Sequence, residues 1–209
     1  MADLSFETAV LTQHGLTYIA GIDEAGRGAL AGPVVAAAVI LPLDNPDALA
    51  QLEEVNDSKQ LPPATRERLF SRITHHASAY AIALEPAEVI DKIGIVPATK
   101  RAMSTAVSQL LLPAQHLLID GNIRLPNLNL PQQAIIRGDT LSLSIAAASI
   151  LAKVTRDRLM VELEAVYPAY GFARHKGYGT VVHLHTLAQH GPCPLHRHSF
   201  APIRRTLFP

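Results

Sequence analysis

No stretch of the chain constrains its fold more than residues 33–41, Pro-Val-Val-Ala-Ala-Ala-Val-Ile-Leu. Every residue is apolar, so the segment has no face to give to water. A half-exposed strand would alternate; an unbroken apolar run suits a strand covered on both sides. The Pro and Asp/Asn cluster at 42–47 ends it. A second strand, 17–22 (Thr-Tyr-Ile-Ala-Gly-Ile), precedes it, and the connection at 23–32 is too short for a crossover helix. The two are therefore expected to be antiparallel neighbours. Further strands are expected at 79–84, 116–119 and 133–137, and helices at 63–77, 98–112, 143–166 and, in the tail, 180–190. The helix at 98–112 is the clearest, since Met103, Ala106, Val107 and Leu110 follow the i, i+3, i+4, i+7 pattern. Strands alternating with helices, with one antiparallel pair, predict an α/β layered domain around a mixed sheet.

The rest of the chain excludes several classes. With 48% hydrophobic and 17% charged residues it is not disordered. The longest apolar run is about half a membrane span, and the first twenty residues carry no signal-peptide pattern. One cysteine, Cys193, excludes an internal disulfide framework and points to a reduced, cytoplasmic setting. Net charge is zero but strongly polarised. Residues 1–100 hold 7 Lys+Arg and 13 Asp+Glu, whereas 101–209 hold 11 and 5. Beyond Glu164 there is no acid, only Arg174, Lys176, Arg197, Arg204, Arg205 and six histidines. A neutral chain can thus present a positive face to a polyanion.

Acids at strand ends are the first chemical signal. Asp23 and Glu24 follow the first strand, Asp120 ends a buried one, and Asp139 precedes the long helix. A carboxylate in such a place is costly unless it is paired or bound to a cation. Several that converge would suit a hard divalent ion, Mg²⁺ or Mn²⁺, better than zinc. Adjacent strand residues face opposite ways, so Asp23 and Glu24 are expected to share a site through a turn at Ala25-Gly26-Arg27-Gly28.

That glycine loop also matches a loose dinucleotide fingerprint. An NAD-dependent oxidoreductase would need a helix to start there; Gly32-Pro33 leads into a strand instead. What remains is exposed backbone N–H groups and one guanidinium, suited to a phosphate or a ribose. A basic loop, Arg174-His175-Lys176-Gly177-Tyr178-Gly179, offers a ring for stacking on a sugar or base. Lys153, Arg156 and Arg158 on the long helix are expected to extend a phosphate-binding face, with Asp157 ion-paired to its arginine neighbours. The tail cluster His190, Cys193, His196 and His198 matches no trusted zinc spacing, and no Gly-x-Ser-x-Gly elbow supports serine catalysis. A non-catalytic nucleic-acid-binding protein remains an alternative to an enzyme.

Together these segments resemble bacterial ribonuclease HII, the type 2 ribonuclease H. The resemblance runs in one order through Gly-Ile-Asp-Glu-Ala-Gly-Arg-Gly (21–28), Asn-Asp-Ser-Lys (56–59), Leu-Ile-Asp-Gly-Asn (118–122), Gly-Asp (138–139), Ser-Ile-Ala-Ala-Ala-Ser-Ile-Leu-Ala-Lys-Val-Thr-Arg-Asp (144–157), His-Lys-Gly-Tyr (175–178) and His-Arg-His-Ser-Phe (196–200). It implies a ribonuclease H-like mixed sheet flanked by helices, with a small helical C-terminal extension. Residues 1–16 would be an N-terminal extension, 17–166 the catalytic domain and 167–209 the basic extension. It implies catalytic, metal-holding carboxylates at Asp23, Glu24, Asp120 and Asp139, with two Mn²⁺ or Mg²⁺ ions. Gly26, Arg27, Gly28, Lys59 and Tyr178 would bind substrate, the loop sensing the ribose 2′-hydroxyl and Tyr178 stacking on a sugar. The substrates implied are RNA–DNA hybrids and duplex DNA with single ribonucleotides, cut 5′ of the ribonucleotide to leave 5′-phosphate and 3′-hydroxyl ends. A cytoplasmic monomer with no membrane association is expected. Gly179 stands where many members have Pro or Ser.

Overall fold

The computed structural model describes residues 2–207, with side chains to Arg204; the side chain of Arg205, counted above among the tail's basic residues, lies outside the description. Five strands form one sheet: β1 (Ile19–Ala25), β2 (Val34–Ile40), β3 (Ala79–Glu85), β4 (His116–Asp120) and β5 (Gln132–Ile135), in the order β3-β2-β1-β4-β5. β1 and β2 are antiparallel, with Asp23 opposite Ala37 and Glu24 opposite Ala36. β4 and β5 run parallel to β1, so the sheet is mixed as expected.

All seven residues of β2 are buried because the sheet is covered on both faces. On one face Val35, Ala37 and Val39 pack against the long helix α6 (Leu143–Val166) and against Leu69 and Ile73 of α3 (Pro63–His76). On the other, Ile22, Ala36 and Ala38 pack against Ala102, Met103 and Ala106 of α5 (Ile95–Ser108). α6 lies so near β1 that a Cβ on Gly21 would fall 2.1 Å from the Ser144 carbonyl carbon. Only glycine permits that approach.

Several boundaries differ from the sequence reading. The helix expected at 98–112 is α5, which starts three residues earlier and ends four earlier; a separate helix that was not expected, α4 (Ala87–Ile93), precedes it across Gly94 at φ +84°. α5 stops at Ser108, so Leu111 is exposed rather than packed. The first strand begins two residues later and runs three further than expected, through Asp23 and Glu24. Four short helices, α2 (Pro46–Ala50), α4, α7 (Phe172–His175) and α9 (Ala201–Leu207), fall where the sequence predicts none; α8 (Val181–His190) falls where a tail helix is expected.

Residues 2–16, within the segment expected to be an N-terminal extension, pack onto the rest of the chain. Helix α1 (Ser5–His14) buries Glu7 completely, and its Oε1 accepts hydrogen bonds from Ser142 Oγ (2.6 Å), Ser144 N (2.9 Å) and Ser144 Oγ (2.5 Å). It thereby fastens the start of α6, just after Asp139. At the other end, residues of the tail share a core with the glycine loop: Leu30, Ala31 and Met160 pack with Tyr170, Phe172 and Leu187. Among the described residues no helix is long and apolar enough to cross a membrane.

Candidate active site

β1 lies between its antiparallel neighbour β2 and its parallel neighbour β4. The β1–β4 ladder ends at Ile22 opposite Ile119, so Asp23 and Asp120 stand at the point where the two strands part. The turn expected after Glu24 does not explain the pairing of the acids. The strand continues to Ala25, and Asp23 and Glu24 point to opposite faces. Both reach one cleft because it opens at the strand end, where β1 has lost its β4 partner. Glu24 N donates to Asp23 Oδ1 at 2.7 Å, holding the two together.

The cleft has a volume of about 600 Å³. Asp23, Glu24, Gly26, Arg27, Gly28, Lys59, Asp120 and Tyr178 all line it, from four separate stretches of chain. Asp139 sits at its margin. A left-handed turn at Arg137 (φ +59°) and a 3-10 turn at Gly138–Thr140 swing it toward β4, where its N–H donates to Asp120 Oδ1 at 3.4 Å. Its carboxylate accepts from Lys59 Nζ at 2.9 Å.

The electrostatics are those of carboxylates short of positive charge. Burial raises Asp23 well above the ordinary aspartate range, and the charges of Glu24 and Asp120 push it the same way. Burial also raises Glu24, against the pull of Arg27, and raises Asp120, helped by Asp139. Burial opposes the Lys59 charge, but the hydrogen bond and charge of Asp139 outweigh it and hold the ammonium firmly on. Such a donor set fits a hard divalent cation: oxygen ligands, excess negative charge and one exposed lysine. The acids surround an open cleft; as they stand, no three Asp, Glu, His or Cys side chains among the described residues are placed to hold one metal ion together.

The site also contains residues that sequence reasoning passed over. Ser149 hydrogen-bonds to Asp23 and lies 2.9 Å from Ser58 Oγ, tying α6 to the lysine segment. It shares a helix face with Lys153 at i+4, which was the available signal. Asp157 is ion-paired, but to Lys153 (2.7 Å) rather than to its neighbours Arg156 and Arg158. Arg156 is not on a phosphate-binding face. It is fully buried, and donates to the carbonyls of Pro33, Ala31 and Lys176. Arg197 is likewise buried rather than part of a basic surface. The glycine loop runs directly into β2, so no helix presents its N-terminus to a pyrophosphate and a dinucleotide site is absent there. Cys193, His196 and His183 do cluster, but as a hydrogen-bonded chain in the tail's core.

A mixed five-stranded sheet flanked by helices, with carboxylates where its central parallel strands part, is the arrangement of the ribonuclease H-like nucleases. A family model described as Ribonuclease HII matches residues 20–203. Ribonuclease HII of Ruminiclostridium cellulolyticum is 55% identical over 197 residues, 94% of this chain and 74% of its own length. That of Chloroflexus aurantiacus is 52% identical over 210 residues, 99% and 97% of the two chains. The solved ribonuclease H2 of Pyrococcus horikoshii OT3 superposes with a TM-score of 0.76 at 27% identity, covering 90% of this chain and 96% of that one. The chain belongs to the ribonuclease HII family, and is a ribonuclease H endonuclease.

Proposed function

We propose that the chain hydrolyses the RNA strand of RNA–DNA hybrids, and DNA strands at single embedded ribonucleotides, on the 5′ side of the ribonucleotide. The products carry 5′-phosphate and 3′-hydroxyl ends. The observation that carries this reading is the convergence of Asp23, Glu24, Asp120 and Asp139 on one cleft mouth with Lys59 as their main counter-charge. Asp23, Glu24, Asp120 and Asp139 would hold two Mg²⁺ or Mn²⁺ ions. When bound, such ions supply Lewis-acid chemistry, activating water and neutralising the leaving 3′ oxygen.

The chain's own residues do the rest. Arg27, 43% exposed in its side chain, and Lys59, 72% exposed, are accessible to phosphates even while paired with Glu24 and Asp139. Gly28 lies on the exposed rim, where an added Cβ would meet nothing within 4 Å and the backbone is not left-handed. No internal packing therefore requires a glycine there, which supports close approach by a ligand such as a ribose 2′-hydroxyl. Gly26 completes the loop. The Tyr178 ring, half-buried in the cleft wall with Lys153 Nζ 5.6 Å and Arg156 Cζ 5.2 Å from its centroid, would stack on a sugar. Residues 17–166 form the catalytic domain in this reading, with 167–209 as the lobe that supplies Tyr178.

The test is an end-labelled duplex with one ribonucleotide, beside an all-DNA control. With Mg²⁺ or Mn²⁺ a single cut 5′ of the ribonucleotide is expected, and none with EDTA or with Asp120→Asn. Full activity of Asp120→Asn, or cutting of the control, would refute the assignment.

A further inference from the structure

Two arginines beneath the glycine loop are fully buried, and among the described residues neither forms an ion pair with a carboxylate. Arg156 donates from Nε to Pro33 O (2.9 Å), from Nη2 to Ala31 O (3.0 Å) and from Nη1 to Lys176 O (2.9 Å). Arg197 donates from Nε and Nη2 to Gly32 O (3.1 and 2.9 Å) and from Nη1 to Arg27 O (2.9 Å). Five carbonyls are thus turned inward onto two guanidiniums. Four belong to the segment from Arg27 to Pro33, and the fifth lies two residues before Tyr178.

Burying a cation without a counter-ion is costly. Here carbonyl oxygens are the hydrogen-bond acceptors for both arginines, with the Tyr178 ring 5.2 Å from Arg156 Cζ and the Phe200 ring 5.2 Å from Arg197 Cζ. Burial lowers Arg197 to about 9, and the Arg156 charge adds to the effect. A framework that only needed to pin a loop could use neutral donors. Backbone bonds reinforce the same joint: Leu30 N and Ala31 N donate to Gly177 O, and Gly32 N to Leu195 O. Gly177 adopts φ +78°, and a Cβ there would fall 2.5 Å from Ala31 O. Meanwhile the N–H groups of Arg27 and Gly28 donate to no protein acceptor among the described residues. With the carbonyls drawn in, the loop presents its donor edge outward above two cations that no direct ion pair neutralises, Asp157 and Asp91 acting on them only at longer range.

We propose that Arg156 and Arg197 are positioning residues that lock the glycine loop and the Tyr178 segment into one preformed surface, and that the phosphodiester seated on that surface is the anion the buried pair lacks. This rests on the nuclease reading above. Neither arginine touches the reacting atoms; each acts through backbone it holds. Geometry matters more than charge, because a planar fork binds two or three carbonyls at once and an ammonium cannot reproduce it.

The experiment compares Arg156→Lys, Arg197→Lys and Arg197→Met with the wild-type protein. Folding is checked by circular dichroism and thermal unfolding. Two readouts are taken: kcat/KM on a duplex with one ribonucleotide, and Kd for an all-DNA duplex in EDTA. For folded Lys variants we expect kcat/KM to fall on the order of tenfold or more, as for other small misplacements of a site, with Kd changed far less. Arg197→Met, which also removes the charge, should lose affinity for both duplexes. Folded Lys or Met variants that cleave like the wild type would overturn the proposal, as would a drop in thermal stability with unaltered kcat/KM. Should the variants fail to fold, amide hydrogen exchange on the wild-type protein decides. Protection of Leu30, Ala31 and Gly32 without substrate is expected, and free exchange there would refute a preformed surface. Failure of the wild type to cut the ribonucleotide duplex would instead refute the nuclease reading, and the exchange result would still judge the loop.

Discussion

The histidine chain of the C-terminal lobe makes a quantitative prediction about acid. His183 Nδ1 lies 2.9 Å from Tyr178 O, a pure acceptor, so that nitrogen must carry the proton. His183 Nε2 therefore accepts from His196 Nε2 at 3.0 Å, and His196 Nδ1 accepts from Cys193 N at 2.9 Å. Both rings are buried and neutral, with every nitrogen assigned. Adding a proton to either ring sets two N–H groups against each other. Burial, then the neighbouring His183, lowers His196 from 6.5 to about 4. A folded-state value below the unfolded one means the unfolded chain takes up the proton first as pH falls. The stability is fully present above pH ~6.5 and is lost on the way down to pH ~4. The shift corresponds to about 3 kcal/mol in full, and to about 2.5 kcal/mol by pH 4.5. The active-site carboxylates with raised values act in the opposite sense, so the wild-type curve alone is ambiguous. The assay is urea unfolding by circular dichroism at pH 7.5, 6.5, 5.5 and 4.5, for wild type and His196→Gln. The stability advantage of wild type over the variant should shrink by about 2.5 kcal/mol between pH 7.5 and 4.5. A difference that stays constant with pH would refute the assigned proton pattern.

Other perturbations separate packing from function. Gly28→Ala should leave stability within about 1 kcal/mol of wild type, or slightly higher, while weakening kcat/KM on a ribonucleotide duplex about tenfold; unaltered kinetics would remove Gly28 from the substrate surface. Gly26→Ala should lower the unfolding midpoint sharply, since Gly26 has φ +87° and its Cβ would fall 1.9 Å from Arg156 Nε. Glu7→Ala should cost roughly 3 kcal/mol in urea unfolding. Glu7→Gln should cost less, because Oε2 has no partner to lose; equal losses would argue against the Oε1 hydrogen bonds as the main contribution.

The sequence disclosed the fold where periodicity and burial coincide, and disclosed the site where chemistry is costly without a partner. Residues 33–41 suit a strand covered on both faces, and the Ala-rich, amphipathic pattern from Leu143 to Val166 suits one long helix. Both stand where expected. Asp23, Glu24 and Asp120 were visible as acids at or near strand ends because a buried carboxylate is expensive, and they do line one cleft. What was not visible is whatever depends on long-range partners. The sequence places Arg156 beside Asp157 and Arg158, and local charge suggests an ion pair or a solvated face. Its partners are carbonyls more than a hundred residues earlier, with Lys176 twenty residues later. Glu7 resembles any acid in a first helical turn, and only the folded chain brings Ser142 and Ser144 to it. Even the pairing of Asp23 with Glu24 was expected for the wrong local reason, a turn, when a departing neighbour strand provides the opening. A buried arginine without an acid thus escapes a reading built on residue types, because its counterparts are backbone atoms that every residue carries. The arginines that hold the glycine loop are the clearest case. They lie within segments that carry the family resemblance, yet nothing in their immediate sequence distinguishes a loop clamp from a surface cation.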